Sequence, residues 1–297
     1  MHYIRTYGFL LLHFFSVGRL LAQSKVQVVT KTVEQSFPYK AGEIIFIQGE
    51  KASIQVMGWT SQEVKVVLRL VAKAPTTEVA REALEYQRYI LEKKRDAVQV
   101  KNYFAVPGGK FPIKALLLAE YEIWVPRESS LKIKNQYGNT TISNKNGETE
   151  VDTRYGNITL DQVKGNNIFK NYFGDFTAKN LGGQIRAQFN HTKTSIQGLS
   201  GKAEFNTTLG DMSLGDLTGI QSLKIDASKS DISLAATNAQ ANQYYFTTEF
   251  GNITVPESFR TPIKRKPNES ATWQYGAAHL PAIHVKTTFG KITLETE

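Results

Sequence analysis

The sequence predicts a mainly β protein: a parallel, right-handed β-solenoid with about 18 residues per rung, preceded by a small β-rich domain with one helix. Three observations carry this expectation. Glycine recurs every nine residues at Gly138, Gly147, Gly156, Gly165, Gly174 and Gly183. Thr192 takes the next slot, and Gly201, Gly210 and Gly219 continue the series. Alternate glycines differ in context, which doubles the period. One set follows an aromatic or leucine and precedes Asn or Asp, as in Tyr155-Gly156-Asn157 and Phe173-Gly174-Asp175; the other follows an apolar residue by two, as in Val163-Lys164-Gly165. Between glycines, apolar and polar residues alternate as in half-buried strands. Each unit therefore reads as two short strands and two corners. Glycine is expected at the corners for its access to positive φ, with Asn and Asp beside it as turn formers.

The elements follow in chain order. Arg5, the apolar stretch Gly8 to Val17 and Leu20-Leu21-Ala22 read as a secretory signal over residues 1–22. Residues 23–130 read as a β-rich capping domain. Its strands are expected at Val26–Val33, Glu43–Gln48, Ala52–Gly58, Val64–Ala72, Val98–Val106 and Leu116–Val125. One helix is expected over Thr77–Arg95, after Pro75, with Val79, Ala83, Tyr86 and Ile90 on one face. Residues 131–297 form the solenoid, in which stacked equivalents make an aromatic ladder of Tyr137, Tyr155 and Phe173, interrupted at His191. The register survives at Ser230-Asp231, Phe250-Gly251-Asn252 and Phe289-Gly290-Lys291. The step from Gly251 to Gly290 is too long for one rung, so an inserted loop is expected at about 256–281. Glu295 and Glu297 would charge the last strand and block its open edge.

Composition narrows the function classes. The chain has 297 residues, 41% hydrophobic and 21% charged, with a formal net charge of +9. Removing residues 1–22 takes away Arg5 and Arg19 and leaves +7, spread along the chain. Together with the absence of a recognition motif, this argues against nucleic acid as a partner. Cysteine is absent, which excludes disulfides and thiolate chemistry. No apolar run in the mature chain reaches membrane length. The expected location is exported, periplasmic or at the cell surface.

The combination resembles the bacterial candidate-adhesin families of unknown function, extracytoplasmic proteins with a β-helical repeat region. The residues that carry it are Val56-Met57-Gly58-Trp59 with the strand Glu63–Leu70, then Tyr121-Glu122-Ile123-Trp124-Val125-Pro126, then the repeated aromatic-Gly-Asn/Asp units. The resemblance implies a β-solenoid and an extracytoplasmic address. It supplies no functional residues.

No catalytic, cofactor or metal site is assigned. Calcium-binding nonapeptide repeats need an Asp in each turn, whereas the residue after the slot glycine here is often Asn, Glu or Lys. A glycosidase needs two carboxylates about 5–9.5 Å apart; Asp175 and Asp211 are two rungs apart, about 9.6 Å. His191 occupies an aromatic slot, and His279 and His284 lack a third ligand. The candidate binding site is the inserted loop, with Arg260, Lys264, Arg265 and Lys266 beside Trp273 and Tyr275, since insertions cluster on binding faces and exposed aromatics with cations suit glycan or protein surfaces. Three functions stay open: a non-enzymatic binding or scaffold protein meeting a protein or glycan at the envelope, a carbohydrate-active protein working along one solenoid face, and a periplasmic component acting through a membrane partner.

Overall fold

A computed structural model of the chain describes residues 26–105, 114–235, 238–259, 261–266 and 269–295. The expected signal segment, Val106, Arg260 and Glu297 lie outside the described residues. The first elements are β1 (Gln27–Pro38), β2 (Ile44–Glu50), β3 (Ala52–Trp59), β4 (Glu63–Ala74), α1 (Thr77–Leu84), β5 (Gln87–Lys94), β6 (Ala97–Phe104) and β7 (Leu116–Pro126). Regular rungs follow: β8 (Ser130–Gln136) with β9 (Thr140–Lys145), β10 (Thr149–Arg154) with β11 (Ile158–Val163), and β12 (Asn166–Tyr172) with β13 (Phe176–Leu181). Next come β14 (Gln184–Asn190), β15 (Thr194–Thr208), β16 (Met212–Gly215), β17 (Gly219–Ser228) and β18 (Ile232–Ala235). The chain ends with β19 (Gln243–Glu249), β20 (Asn252–Thr254), β21 (Lys264–Lys266), β22 (Ser270–Tyr275), β23 (Ala282–Thr288) and β24 (Lys291–Glu295).

The chain is a mainly β parallel solenoid. Its strands form two faces that β15 joins by serving both. Face A runs β1, β4, β7, β3, β9, β11, β13, β15, β16, β18, β24, β20. Face B runs β5, β6, β2, β8, β10, β12, β14, β15, β17, β23, β19, β22, β21. The 18-residue register holds where Val151 pairs with Phe169 and Ile158 with Phe176. A bulge between Gly201 and Lys202 then lengthens the rung, so that Phe205 pairs with Ile225. Inward side chains from both faces, Val151, Phe169, Phe176, Phe189 and Phe205 among them, fill the interior and are buried.

Both ends depart from chain order. The rung β2–β3 lies between β6–β7 on one side and β8–β9 on the other, so the chain steps over it on leaving β7. At the other end β23–β24 lies between β17–β18 and β19–β20. The slots Ser230, Gly251 and Gly290 of the sequence thus stack as Ser230, Gly290, Gly251. The boundary expected near 130 separates no cores: β2–β3 is itself a rung, and one buried cluster runs from Phe37 to Leu294. A rung held between neighbours on both faces cannot fray as a terminal rung would.

Two further expectations are corrected. The helix ends at Leu84, not Arg95. Residues Gln87–Lys94 pair antiparallel with β6 across the Arg95-Asp96 turn, and Lys93 anchors the strand by an ion pair of 2.8 Å to Glu43. That contact holds the Glu43 carboxyl below its ordinary pKa, chiefly through the hydrogen bond from Lys93. β24 is not the last strand of its face, because β20 pairs beside it over Lys291–Thr293; Glu295 lies past that pairing and is joined only to Ala235 of β18. Among the described strands the far edges are β20 and β21, three residues each, and β21 is Lys264-Arg265-Lys266, all three exposed. Short, cationic edges resist strand addition.

Candidate binding surface

The corner between the faces is built differently from the sequence expectation. Positive φ falls on the residue before the glycine: Tyr137 (61°), Tyr155 (57°), Phe173 (62°), His191 (51°), Leu209 (58°), Phe289 (58°) and Phe250 (56°). The glycine that follows is needed for proximity. A Cβ on Gly156 would fall on the carbonyl oxygen of Gly138, and one on Gly174 on that of Gly156. Where a hydroxyl side chain occupies this slot it is buried and bonded. Thr192 Oγ1 donates to the Asn171 carbonyl at 3.0 Å, and Ser230 Oγ accepts from Gly210 N–H at 3.1 Å. At the other corner, Gly165 and Gly183 do take positive φ, 107° and 97°.

The residue after the glycine ties rungs together. Asn139 Oδ1 accepts the N–H of Asn157 at 3.0 Å, and Asn157 Oδ1 that of Asp175 at 2.8 Å. Asp211 and Asp231 repeat the arrangement toward Asp231 and Lys291 at 3.1 and 2.7 Å. These oxygens are engaged by backbone, which is what an Asn/Asp corner column requires. Among the described residues, no group of three or more His, Asp or Glu side chains is placed to hold a metal ion.

The positive-φ residues form an exposed ladder. In spatial order the slot holds Lys51, Tyr137, Tyr155, Phe173, His191, Leu209, Lys229, Phe289 and Phe250, each N–H donating to the carbonyl that precedes the next corner or, for Phe250, to Glu269. Nine slots at about 4.8 Å make a ridge roughly 38 Å long. Ring centroids are 5.1 Å apart from Tyr137 to Tyr155 and from Tyr155 to Phe173, 4.7 Å from Phe173 to His191, and 5.0 Å from Phe250 to Phe289. His191 therefore continues the ladder rather than interrupting it. The six apolar members are 42–58% exposed. A left-handed backbone costs an L-residue roughly 1–2 kcal/mol, and each stacked pair returns about 0.5–1.5 kcal/mol. Lys51 and Lys229 in the same slot show that the corner closes without a ring.

The two faces beside this corner differ. Two residues past the Asn/Asp column, face A carries Thr141, Thr159, Thr177, Ser195, Ser213, Ser233, Thr293 and Thr254 on successive rungs. Six of these are exposed; Ser233 and Thr293 are half-buried. Face B instead carries charges that pair across rungs, Lys132 with Glu150 at 2.7 Å and Lys224 with Glu204 at 3.4 Å, and along a strand, Lys224 with Asp226 at 2.9 Å. Several face B charges are thus paired, whereas the face A track is uncharged.

The inserted segment is not the loop that was expected. It forms a short 3-10 turn (Glu257–Phe259) and the β21–β22 hairpin, which extends face B beyond β19. Trp273 is 2% exposed and packs against Tyr244, Phe246 and Phe259; Tyr275 is half-buried. The expected pairing of exposed aromatics with cations is thus corrected: the rings close the core, as antiparallel strands ending a sheet must. Lys264, Trp273 and Tyr275 meet at a hollow of about 510 Å³. Arg265 and Lys266 line another of about 400 Å³, and Arg265 donates to Asn252 Oδ1 at 2.7 Å.

The stacked solenoid, its glycine slots and its aromatic-Gly-Asn/Asp corners agree with a sequence profile that matches residues 89–295, that of Toastrack DUF4097. The chain belongs to the Toastrack DUF4097 family. No curated protein matches this Toastrack chain. Solved structures similar to it include a candidate lipid binding protein of Parabacteroides distasonis ATCC 8503, at 12% identity over 89% of this chain and 96% of that one, TM-score 0.49. A candidate adhesin of Bacteroides fragilis NCTC 9343 is similar at 13% identity over 90% and 97%, TM-score 0.43. One of Parabacteroides merdae ATCC 43184 is similar at 9% identity over 89% and 96%, TM-score 0.38. No helix among the described residues is long and apolar enough to cross a membrane.

The sequence disclosed the ladder but not its exposure, because aromatic residues at regular spacing are expected inside. One signal was available. Lys229-Ser230-Asp231 falls on the aromatic-Gly-Asn/Asp pattern, and a lysine in the ring position marks a slot that faces solvent.

Proposed function

We propose that this Toastrack chain is an exported, non-enzymatic binding protein, adhesin-like in action, that meets a partner at the cell envelope along the aromatic corner and the adjoining face A. One observation carries the reading: six large apolar side chains are exposed in a single line, on left-handed backbone, in a slot that the fold also fills with lysine. Lys51 and Lys229 show that the corner can close without a ring, and exposed apolar side chains gathered in line, Tyr137 to Leu209 on one side of Lys229 and Phe289 with Phe250 on the other, are the usual mark of an interaction surface. The cationic segment Lys264–Lys266 would sit at the end of this surface as a secondary contact.

The test uses the substitution the slot already accepts. Purified wild-type chain and the Tyr155→Lys/Phe173→Lys variant are incubated with envelope preparations of producing cells. Retention of wild type with at least tenfold less retention of the variant is expected; equal retention sinks the reading. Protease treatment of intact and lysed cells separates the two addresses. Digestion on intact cells supports a surface adhesin, and protection until lysis supports a periplasmic component with an internal partner.

A further inference from the structure

We propose that the partner is a linear, uncharged polysaccharide lying along the solenoid axis, in contact with the ring ladder and the serine/threonine track of face A. This rests on the binding reading above and names its ligand class. The argument starts from repetition. The surface repeats its slot once per rung, and where rings adjoin, from Tyr137 to His191 and from Phe289 to Phe250, they are 5.1, 5.1, 4.7 and 5.0 Å apart. Many weak equal contacts reward a ligand with the same repeat, because each unit bound raises the effective concentration of the next. An extended polypeptide returns to the same face only every roughly 6.6 Å, and phosphates along one DNA strand recur about every 3.4 Å. Neither keeps step with the rungs. An extended pyranose polymer advances by about one rung per sugar.

Chemistry decides between charged and neutral chains. The track from Thr141 to Thr254 carries no charge over eight rungs, although 21% of the chain is charged. A hydroxyl both donates and accepts, so the track can answer a polyol at every position. The column between ladder and track mixes neutral, acidic and basic residues, in order Asn139, Asn157, Asp175, Lys193, Asp211, Asp231, Lys291 and Asn252. It therefore offers no sustained field to a polyanion. The rings add apolar edges against which sugar C–H groups pack. Face B carries charged residues and ion pairs on successive rungs where face A carries the hydroxyl track.

The test measures retention of the purified chain on insoluble cellulose, chitin and starch, on alginate gel, and on phosphatidylcholine vesicles. Three variants are compared with the wild-type chain. Thr159→Lys/Thr177→Lys/Ser195→Lys charges the track, and Gln184→Lys/Gln188→Lys/Asn206→Lys adds the same charge to face B. The third, Phe173→Lys, alters only the ladder. Circular dichroism confirms that each is folded. Retention on at least one neutral polysaccharide is expected, at least tenfold weaker for the track and ladder variants and unchanged for the face B variant. Retention only on alginate or vesicles, equal loss in all three variants, or no retention on any probe overturns the proposal. If envelope retention persists and still depends on Tyr155 and Phe173 while no polysaccharide is bound, the ligand class falls and the binding surface stands.

Discussion

Replacing Lys145 with methionine isolates the least comfortable group in the solenoid. Lys145 stands at an inward position, in register with Val163, Leu181 and Leu199, and is fully buried. Its Nζ donates to the carbonyl of Ser129, where the chain steps over the β2–β3 rung to enter β8. Burial pushes its pKa from 10.5 down to about 8, with Glu128 and Glu148 opposing the shift. The sign follows from proton linkage. Between pH 8 and 10.5 the unfolded chain holds this proton and the folded chain does not, so stability rises with pH through that window. At roughly 1.36 kcal/mol per pH unit, the gain is about 3 kcal/mol. In Lys145→Met that rise is absent. At pH 7 the variant escapes the charge penalty but leaves the Ser129 carbonyl unpaired, a cost of about 1–3 kcal/mol, so the two effects nearly offset. The readout is therefore the slope: urea unfolding followed by circular dichroism from pH 7 to 10.5, wild type minus variant, which cancels the other titrating groups. A difference that stays flat across the window, or falls, refutes the reasoning.

Three other outcomes follow from the same structure. Gly42 has φ 92° with no atom near a would-be Cβ, whereas Gly174 has ordinary φ and no room. Gly42→Ala should cost about 1 kcal/mol and Gly174→Ala about 3 kcal/mol, and the opposite order of urea midpoints would show that φ rather than proximity sets the glycine slots. Lys264→Val with Lys266→Val removes two of the three cations of the β21 edge and leaves Arg265, and light scattering should show a larger associated fraction; an unchanged molecular mass would mean that the two lysines do not guard this end. Thr76→Ala removes the side chain that accepts the Val79 N–H at 3.3 Å; a loss of about 1 kcal/mol is expected, and no change in thermal midpoint would leave α1 without a working cap.

How far the sequence reached depends on whether each feature is local. Glycine slots and alternating strands repeat a local rule, so the rungs from Thr149 to Thr208 and strands such as β3 and β7 emerged within a residue or two. The helix was over-extended because Val79, Ala83, Tyr86 and Ile90 fit a helical face, while the decisive partner of Gln87–Lys94 is β6, across a turn. The order of rungs at the two ends was not legible at all. The 39-residue step from Gly251 to Gly290 announces an insertion, but only pairing shows that Gly290 stacks on Ser230. Trp273 and Tyr275 were placed outside for a similar reason: their neighbours Tyr244, Phe246 and Phe259 come from β19 and a 3-10 turn, and a hairpin that closes a sheet looks in sequence like a polar loop. At the candidate surface, the ladder was visible as a period and its exposure was not, since period alone does not say which side of a corner a ring takes.

The most direct test of the binding surface is hydroxyl-radical footprinting of the purified chain with and without envelope preparations of producing cells. Tyr137, Tyr155, Phe173 and His191 report the ladder. Tyr245 and His284, stacked 4.4 Å apart on face B, serve as the internal control. Protection of the four ladder residues with Tyr245 and His284 unchanged is the expected result. Protection of the face B pair with the ladder still oxidised would contradict the assignment.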